Sequence, residues 1–510
     1  MKLSYLVREL YPVRFEMPDG ISADDVEITG ISTDSRLVEE GNLFVCIRGT
    51  HIDSHTLAAD AAERGAAAIV AERPILSGVP TVIVENTRAA AALLWSLYFG
   101  SPQKEMKVIA VTGTNGKTSV THILHRILSD AGIRTGLIGT VCSMIGDEEL
   151  PHLGGSEIDG AAAAMTTPDP KYLYGTMAKM CDLGVTHVVM EASSHALAQH
   201  KLDPIEADVA VFTGLSPEHL DFHGTMENYL CAKSVLFRTA KRCIINSDSE
   251  YAQKLCELAP NAYLSVGTGK GADLRARHIK YTGDGVEYRL TGDGISEKIT
   301  CRMPGAFGVY NSLLAAAAAL SCGVPAEVIA RSAANFPGVP GRMETVYSDG
   351  AIRVVRDFAH TPEAMRRAIE IMRADTRGRL IVLFGCGGDR DRSKRPAMGR
   401  IAAETADITV VTSDNSRTEN PIAIIDEILE GVGGSPCRVI PDRRQAICTA
   451  LSMMKKKDVL LLLGKGHENY QIDRSGIHPF DEREIVAEYM RKNSGKAPDE
   501  GCGGAPDIGG

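Results

Sequence analysis

A glycine-rich loop between a strand and a helix is the feature that most constrains the fold. Residues 108–111 (VIAV) form an apolar run typical of a buried strand, and the loop GTNGKT follows at residues 113–118. Beyond the loop, apolar residues between 120 and 128 recur at helical spacing. The order strand, glycine loop, helix predicts an α/β domain that holds the phosphates of a nucleotide.

The loop carries the groups that a nucleoside triphosphate needs. Its glycines let backbone N–H groups approach phosphate oxygens, Lys117 adds a point charge, and Thr118 is placed to bind Mg²⁺. A longer loop of this type has glycine at position 111, where this chain has Val111. A plain glycine turn with a solvated lysine is the alternative reading, and the flanking strand and helix argue against it. The predicted phosphate-binding residues are Gly113, Thr114, Asn115, Gly116, Lys117, Thr118 and Ser119.

Short Val- and Ile-rich runs alternate with Ala-rich helical stretches along most of the chain. This is the pattern of βα units with mainly parallel sheets, so the predicted fold class is α/β. Because 510 residues exceed what one hydrophobic core usually serves, we expect several domains. Breaks rich in glycine and proline divide the chain into segments 1–102, 103–338 and 339–492, followed by a tail, 493–510, that is predicted to be disordered.

Charge and composition exclude several classes of protein. A net charge of -10 at pH 7 argues against a general nucleic-acid binder, because phosphate-backbone affinity needs clustered Lys and Arg. Charges interrupt the first 20 residues, unlike a signal peptide, and no run approaches the ~20 apolar residues of a membrane span. The 12 cysteines form no paired metal pattern and are interpreted as reduced thiols. We expect a cytoplasmic protein without nucleic-acid or membrane partners.

Acids and histidines follow two further strand candidates. Glu191 ends the apolar run 185–190, and the loop 215–224, which contains His219 and His223, follows the run 209–213. A carboxylate at the end of a neighbouring strand is where a second magnesium ligand would lie. Glu191 alone is equally consistent with a solvated acid. The cluster of histidines and acids favours a metal or substrate role.

Taken together with further motifs along the chain, these residues resemble those of the Mur ligase family. The resemblance covers nearly everything from Ile31 to Tyr470, and the order of the motifs is as informative as their content. The matching runs are STDSR at 32–36, the phosphate loop, TTP at 166–168, MEASSH at 190–195, HLDFH at 219–223, Tyr229 with Lys233, Asn311, GRME at 341–344, DFAHTP at 357–362, GCGGDR at 385–390 and GKGHE at 464–468.

The resemblance implies a three-domain ligase: a UDP-binding domain, a central ATPase domain and a C-terminal dinucleotide-fold-like domain that receives an amino acid. ATP would phosphorylate the D-glutamyl carboxyl of UDP-N-acetylmuramoyl-L-alanyl-D-glutamate. The amine of the incoming amino acid would then attack the acyl phosphate. The expected cofactor is Mg²⁺, the expected partners are small-molecule substrates, and the enzyme is expected to be a monomer.

Site residues are carried over from the family motifs. The expected catalytic and metal-binding set is Lys117, Thr118, Glu191, His219 and Lys233, the last as a carbamate (N6-carboxylysine) that turns a cation into a carboxylate. Around ATP the family places Asn311, Arg342, Asp357 and His360. Around the UDP-muramoyl dipeptide it places Thr33, Ser35, Thr166, Thr167, Ser193, Gln199 and Lys201. Around the amino acid it places Arg390, Asp414, Asn415, Ser416, Arg417, Gly464 and Glu468.

The run DNSR at 414–417 bears on which amino acid is added. Diaminopimelate-adding ligases of the family carry Asp-Asn-Pro-Arg here, and lysine-adding ones lack the Arg. Arg417 therefore favours meso-diaminopimelate, whose far carboxylate suits a guanidinium fork. Two further departures are Lys201, where the related ligase has Arg, and Arg356, which replaces an apolar residue and has no explanation in the sequence.

Three alternatives stay open at this point. The chain could be the L-lysine-adding ligase of the family, or a ligase like folylpolyglutamate synthase. The segment 32–36, Arg417 and Glu468 argue against a folylpolyglutamate synthase and against a different Mur ligase. A nucleotide switch without chemistry is the third alternative, and it would need neither a carbamylated lysine nor a carboxylate-binding pocket.

Overall fold

The computed structural model describes residues 1–49, 52–150, 165–259, 262–282 and 285–493. They form two compact units. Unit 1 comprises residues 1–279, 287–301 and 307–336, and unit 2 comprises 280–286, 302–306 and the chain from Pro337 onward. The predicted disordered tail lies outside the described residues, apart from its first residue.

Unit 1 begins with a five-stranded sheet in the order β1-β5-β4-β3-β2. Strands β2 to β5 are parallel, and β1 is an antiparallel edge. Helix α3 begins after Asn86, whose side chain caps the backbone N–H groups of Arg88 and Ala89. The elements are α1 (Leu3–Leu10), β1 (Arg14–Glu16), β2 (Gly30–Ser32), β3 (Asn42–Val45), α2 (Ala58–Glu63), β4 (Ala68–Ala71), β5 (Thr81–Ile83) and α3 (Thr87–Tyr98).

An eleven-stranded sheet follows, in the order β16-β15-β14-β13-β12-β11-β6-β10-β7-β8-β9. Its strands are β6 (Lys107–Thr112), β7 (Thr135–Ile138), β8 (Ser143–Ile145), β9 (Glu148–Glu149), β10 (His187–Glu191), β11 (Val209–Phe212), β12 (Cys243–Asn246), β13 (Tyr263–Gly267), β14 (Leu274–Thr282), β15 (Gly285–Gly292) and β16 (Ile295–Cys301). The accompanying helices are α4 (Lys117–Asp130), α5 (Pro170–Asp182), α6 (Ser194–Ala198), α7 (Leu220–His223), α8 (Met226–Thr239), α9 (Ala252–Leu258), α10 (Gly305–Ser321) and α11 (Ala326–Asn335).

The centre of this sheet places the predicted site. Strand β6 pairs in parallel with β10 on one side and with β11 on the other. All three strands read as apolar runs because helices cover both faces of a parallel sheet. Their carboxyl ends therefore meet at one edge, where the loops after β6, β10 and β11 begin. One hydrophobic core joins this sheet to the first one.

Unit 2 is built on a six-stranded sheet in the order β17-β18-β22-β19-β20-β21. Strand β17 is an antiparallel edge and the others are parallel. A core covers each face of this sheet. The elements are β17 (Glu344–Ser348), β18 (Arg353–Asp357), α12 (Pro362–Asp375), β19 (Leu380–Phe384), α13 (Lys394–Thr405), β20 (Ile408–Val411), α14 (Pro421–Val432), β21 (Cys437–Val439), α15 (Arg443–Ser452), β22 (Val459–Leu463), β23 (Tyr470–Asp473), β24 (Gly476–Pro479) and α16 (Glu482–Asn493).

The α/β fold class expected from the sequence is confirmed, and strands form at the runs 108–111 and 209–213 and over most of 185–190. The antiparallel strands β8 and β9, added at one edge of the central sheet, were not anticipated. No helix in the described ranges has the length and apolar character needed to cross a bilayer. Arg356 now has an explanation: it is 1% exposed, and its guanidinium pairs with Glu344 (2.8 Å) and Asp481 (3.5 Å).

Candidate active site

The phosphate loop connects β6 to α4 and depends on two glycines in left-handed backbone. Gly113 has φ +150°, and a Cβ there would lie 1.9 Å from the Thr213 hydroxyl oxygen. Gly116 has φ +88°, and a Cβ there would lie 2.5 Å from Oδ1 of Asn311. Neither position accepts a side chain without strain. Asn311, which lies on α10 and was expected near ATP from the family resemblance, is thus in direct contact with the loop.

Lys117 lies over the loop at the start of α4. Its Nζ donates to the carbonyl oxygens of Gly113 (3.0 Å) and Thr114 (2.9 Å). The Thr114 hydroxyl accepts a hydrogen bond from the backbone of Ser216, which ties the loop to the segment after β11. The positive end of α4 and the Lys117 ammonium group together form a site for an anion such as a phosphate.

Glu191, at the end of β10, is fully buried beside the loop. One oxygen accepts from the Thr118 hydroxyl (3.1 Å), and the other accepts from the backbone N–H of Thr140 (2.8 Å). The Thr140 hydroxyl donates to the same Glu191 oxygen as Thr118 does (3.1 Å). Glu191 forms no ion pair within the described residues. A buried carboxylate without a cation, hydrogen-bonded to a loop threonine, has the chemistry of a magnesium ligand.

Lys233 is 1% exposed in the middle of α8. Its Nζ donates to the carbonyl oxygen of Gly113 (2.9 Å) and lies 4.6 Å from the centroid of the Tyr229 ring, one turn earlier on the helix. No acid pairs with it in the described part of the chain. Burial, and then the charge of Lys117, lower the pKa of Lys233 well below its ordinary value.

Three histidine rings cluster next to Lys233. The His195 and His219 rings meet edge to face with centroids 4.7 Å apart, and the His223 ring stacks on Tyr229 at 4.9 Å. Burial, then His219, lowers the pKa of His195 to about 4; burial, then Lys117, lowers that of His219 to about 4. Both rings are therefore neutral at pH 7, which is the form that ligates metals.

The fit to magnesium rests on these donors together. Among the described residues, no cluster of three or more His, Cys, Asp and Glu side chains is arranged to hold a metal ion. Glu191 and His219 alone fall short of such a cluster, so the predicted set needs a third ligand, which would be its second acid. A carbamate on Lys233 would supply it, and the depressed pKa of this amine suits that modification because only a neutral amine reacts with CO₂.

The residues predicted to bind the UDP-muramoyl dipeptide occupy two sheets. The Thr167 hydroxyl donates to the Glu191 carbonyl (2.8 Å) and accepts from the Ser193 N–H (2.9 Å), and the Thr140 and Thr166 hydroxyls meet at 3.1 Å. Lys201 is buried and pairs with Asp169 at 2.6 Å. Gln199 ends α6. Thr33 and Ser35 follow β2 in the first sheet.

The remaining predicted ATP-binding residues belong to unit 2. Arg342 lies over the Phe358 ring at 4.8 Å. Asp357, at the end of β18, accepts from the backbone N–H groups of Met343 (2.8 Å) and Ala359 (2.9 Å), and burial raises its pKa. His360 bonds the Phe358 carbonyl through Nδ1. The predicted ATP-binding set is therefore divided between the two units.

The residues predicted to bind the amino acid converge at the carboxyl ends of β19, β20 and β22. The Asn415 amide donates to Glu468 (2.8 Å), and a Cβ at Gly464 would lie 2.5 Å from Asp414. Ser416, between Asn415 and Arg417, is buried, and a Cβ at Gly388 would lie 2.0 Å from its carbonyl oxygen. The runs 385–390, 414–417 and 464–468 therefore lie together at one edge of the sheet in unit 2.

Two arginines in this region have no acidic partner among the described residues. The Arg417 guanidinium donates only to carbonyl oxygens, those of Gly388 (2.8 Å) and Asn415 (3.4 Å). Arg390 bonds the Asp389 carbonyl (3.0 Å), and burial, followed by the charge of Arg417, lowers its pKa. Two neighbouring cations without acids form a site for carboxylates.

Sequence reasoning missed the buried charges behind this region. Lys465, fully buried, donates to Asn415 (3.0 Å) and Glu468 (3.3 Å). Arg443 pairs with Glu482 (2.8 Å) and donates to the Leu463 carbonyl (2.8 Å). Burial alone would raise the pKa of Asp414, but Lys465 and Arg443 bring it below its ordinary value. Lys465 lies inside the GKGHE run, whereas Arg443 and Glu482 carry no signal in the sequence.

Three family models match the chain. The Mur ligase middle domain matches residues 111–319, the glutamate ligase domain of Mur ligases matches 341–466, and the catalytic domain of the Mur ligase family matches 27–93. Each match falls mainly on one of the three large sheets described above.

Similar proteins and solved structures belong to the same group of ligases. A Bacillus licheniformis protein named UDP-N-acetylmuramoyl-L-alanyl-D-glutamate--2,6-diaminopimelate ligase is 41% identical over 495 residues, 95% of this chain and 98% of that protein. A solved structure of an enzyme with the same name is 30% identical, with a TM-score of 0.68, and covers 96% of this chain and 99% of the other. The Mycobacterium tuberculosis folylpolyglutamate synthase, 19% identical over 81% of this chain and 96% of its own, with a TM-score of 0.61, shares the fold.

Proposed function

Because this chain belongs to the Mur ligase family, we propose that it is the ATP-dependent ligase that adds meso-diaminopimelate to UDP-N-acetylmuramoyl-L-alanyl-D-glutamate in peptidoglycan synthesis. The observation that carries the choice of amino acid is the pair of arginines, Arg390 and Arg417, without acidic partners at the strand ends of unit 2. An amino acid with carboxylates at both ends matches two such cations.

The reaction needs an activated carboxyl group, because a carboxylate is a poor acyl donor. ATP phosphorylates the D-glutamyl carboxylate, the amine attacks the acyl carbon, and phosphate leaves as the amide forms. Lys117 and the N-terminus of α4 hold the phosphates and offset the charge that spreads over the transferring group. Magnesium neutralises phosphate oxygens when it is bound. Thr118, Glu191, His219 and the Lys233 carbamate would hold it.

Burial of Lys233 supports its role as a carbamate. A protonated lysine beside Mg²⁺ would repel the ion, whereas the neutral amine can add CO₂, lose a proton and become an anion. The depressed pKa and the lack of an acid partner among the described residues favour the neutral amine. The Gly113 carbonyl then fixes the nitrogen at the phosphate loop.

The amino acid would be held from both ends. Arg390 receives the head carboxylate, and Arg417 holds the far carboxylate with its planar fork. Asp414, whose pKa is low because of Lys465 and Arg443, stays ionised and meets an ammonium group. Glu468, whose pKa burial raises, contributes a hydrogen bond beside it. L-Lysine would leave Arg417 without a partner, at a loss of about 2 to 5 kcal/mol.

The domain roles belong to the same proposal. Residues 1–102 with Thr33 and Ser35 bind the UDP-muramoyl part, residues 103–338 bind ATP, and residues 339–492 receive the amino acid. Lys201 faces Asp169 at 2.6 Å, and a lysine there keeps the charge of an arginine without its fork. We propose a monomeric enzyme located in the cytoplasm.

The test is an assay of purified protein with ATP, the UDP-dipeptide and either meso-diaminopimelate or L-lysine. We expect phosphate release that depends on both cosubstrates, and a higher kcat/KM for meso-diaminopimelate. Arg417→Ala should remove that preference, whereas Arg474→Ala, an exposed arginine that donates to the nearby Thr418 carbonyl, should keep it. Equal kcat/KM for the two amino acids, or ATP turnover at an unchanged rate without either cosubstrate, would contradict the proposal.

A further inference from the structure

We propose that Arg395 is a positioning residue that sets both carboxylate-binding arginines, Arg390 and Arg417, in place. The inference rests on the proposed function and deepens it, because it names what fixes the selectivity for a dicarboxylic amino acid. Arg395 lies in the first turn of α13 and is 0% exposed, so it acts through its neighbours.

The Arg395 guanidinium bonds both loops that carry the two arginines. Its two terminal nitrogens donate to the two Glu419 carboxylate oxygens (2.9 and 2.8 Å) in a fork. The same nitrogens reach Glu427 (2.8 Å) and the Gly387 carbonyl oxygen (3.2 Å). One side chain therefore joins the loop after β19, through Gly387, to the loop after β20, through Glu419.

A short path leads from these bonds to Arg390. One of the two Glu419 oxygens, Oε1, accepts from Arg395 and also from the backbone N–H of Asp389, at 2.6 Å. Arg390 is the next residue, and its own guanidinium bonds the Asp389 carbonyl. The backbone that leads into Arg390 is thus held at two points, Gly387 and Asp389.

An equally short path leads to Arg417. Its guanidinium donates to Gly388, the residue between Gly387 and Asp389. The Asp389 carboxylate accepts from the Thr418 N–H (3.1 Å) and hydroxyl (2.7 Å), so the residue after Arg417 is held as well. Glu419, bonded in a fork by Arg395, follows at once.

Backbone strain shows that these loops need such restraint. Asp389 has φ +52° and Arg417 has φ +51°, both in the left-handed region that residues with a Cβ rarely adopt. Strained residues of this kind persist only where the surroundings fix them. The Arg395 hydrogen bonds hold Gly387 and Glu419, each of which is two residues from one of the strained positions.

The geometry requires an arginine and not only a positive charge. Four donors of one plane are used, on two carboxylates and one carbonyl, whereas a lysine ammonium has three donors and no fork. Glu427 also pairs with Arg392, so it keeps a cation when Arg395 is replaced. Glu419 has no other arginine or lysine in an ion pair within the described residues.

The experiment compares Arg395→Lys with the wild-type enzyme in steady-state kinetics. We expect KM for meso-diaminopimelate to rise about 10- to 100-fold, as for other residues that orient binding groups, while KM for ATP and for the UDP-dipeptide changes less than about twofold. The preference for meso-diaminopimelate over L-lysine should fall in parallel. Arg395→Lys should raise KM for meso-diaminopimelate by a smaller factor in the Arg417→Ala enzyme than in the wild type, because both residues act through the same hydrogen-bonded loops.

A matched control separates positioning from general stability. Arg379 pairs with Asp458 and donates to the Met453 carbonyl (2.6 Å) at the amino ends of β19 and β22, away from the two loops. Arg379→Lys should lower the melting temperature and leave KM for meso-diaminopimelate unchanged. If Arg395→Lys does not fold, Glu419→Gln tests the same connection, with an expected rise in the same KM.

The outcomes distinguish this inference from the proposed function. A wild-type enzyme without diaminopimelate-dependent activity defeats the proposed function. An active wild type, together with an Arg395→Lys or Glu419→Gln enzyme of unchanged KM and preference, defeats only the role of Arg395. An equal KM rise in Arg379→Lys also overturns it.

Discussion

The phosphate-loop site of unit 1 and the proposed amino-acid site of unit 2 both lie at the carboxyl ends of parallel strands, yet buried charges are unpaired in the first and paired in the second. In unit 1, Lys233 and Glu191 are buried without ion pairs among the described residues, and the histidines beside them are neutral at pH 7. In unit 2, Asp414, Lys465, Arg443 and Glu482 compensate one another.

The difference follows from what each site must do. Burying an isolated charge costs free energy. Such a group therefore remains only where a bound ligand supplies the opposite charge, or where the group loses its charge and gains a different reactivity. Unit 1 is thus prepared to receive a divalent cation and a phosphate. Unit 2 holds its own charges paired in the interior, whereas Arg390 and Arg417 have no acidic partner among the described residues; we propose that the substrate supplies one for each.

The largest effect should come from the uncompensated lysine. Lys233→Ala removes the proposed carbamate, and we expect activity to fall by about 10²- to 10³-fold or more, as on losing a group that offsets transition-state charge. Added acetate or formate should partly restore activity by supplying a carboxylate. Lys241→Ala, an exposed lysine paired with Asp208, is the control and should stay near wild type. A fully active Lys233→Ala enzyme would remove one side of the comparison.

An intermediate effect, on stability, should come from breaking a compensated pair. Glu482→Gln leaves Arg443 buried without its closest acid, and the expected loss is about 3 to 5 kcal/mol in the free energy of unfolding. Glu488→Gln breaks the exposed pair with Arg444 and should cost about 0 to 1 kcal/mol. Urea unfolding measures both. Equal losses would mean that burial does not distinguish the two pairs.

The smallest effect concerns acid stability. Arg395 holds the pKa of Glu419 at about 2, below the ordinary 4.5, so its contribution is complete above pH 4.5 and is lost as pH falls toward 2. The pKa of His195 is lowered to about 4, so its contribution to stability is complete above pH 6.5 and is lost as pH falls toward 4, because the unfolded chain takes up the proton first. Glu419→Gln should flatten the lower window by about 1 kcal/mol or less. Glu404→Gln, which replaces an exposed acid on the same helix as Arg395, should leave the lower window unchanged. If Glu419→Gln changed the upper window instead, the assignment would be contradicted.

The sequence predicts best where the chemistry is local. The phosphate loop follows its strand and precedes its helix within a few residues, so its fold can be read without tertiary information. Glu191 could be placed at the end of a strand in the same way, but its role stayed open without the family resemblance, and the strand-end runs of unit 2 also came from that resemblance. Asn311 required the family resemblance, because nearly 200 residues separate it from the loop that it contacts.

Buried ion pairs could not be predicted. Arg443 and Glu482 are 39 residues apart, and each resembles an ordinary charge on a helix. Arg356 had no explanation in the sequence because it stands where the family has an apolar residue, and its partners Glu344 and Asp481 lie 12 and 125 residues away. Lys233 was found only through the family motif; its helical position gives no sign that it is buried.

The contact between Gly388 and Ser416 has a consequence for the redesign of this enzyme. With 2.0 Å between a Cβ at 388 and the Ser416 carbonyl, neither loop can be exchanged by itself for that of a ligase with another amino acid. A graft at 414–417 alone would meet a backbone shaped for a different partner. Changes of specificity in this scaffold therefore have to arrive as coordinated sets, in which the effect of each substitution depends on the others already present.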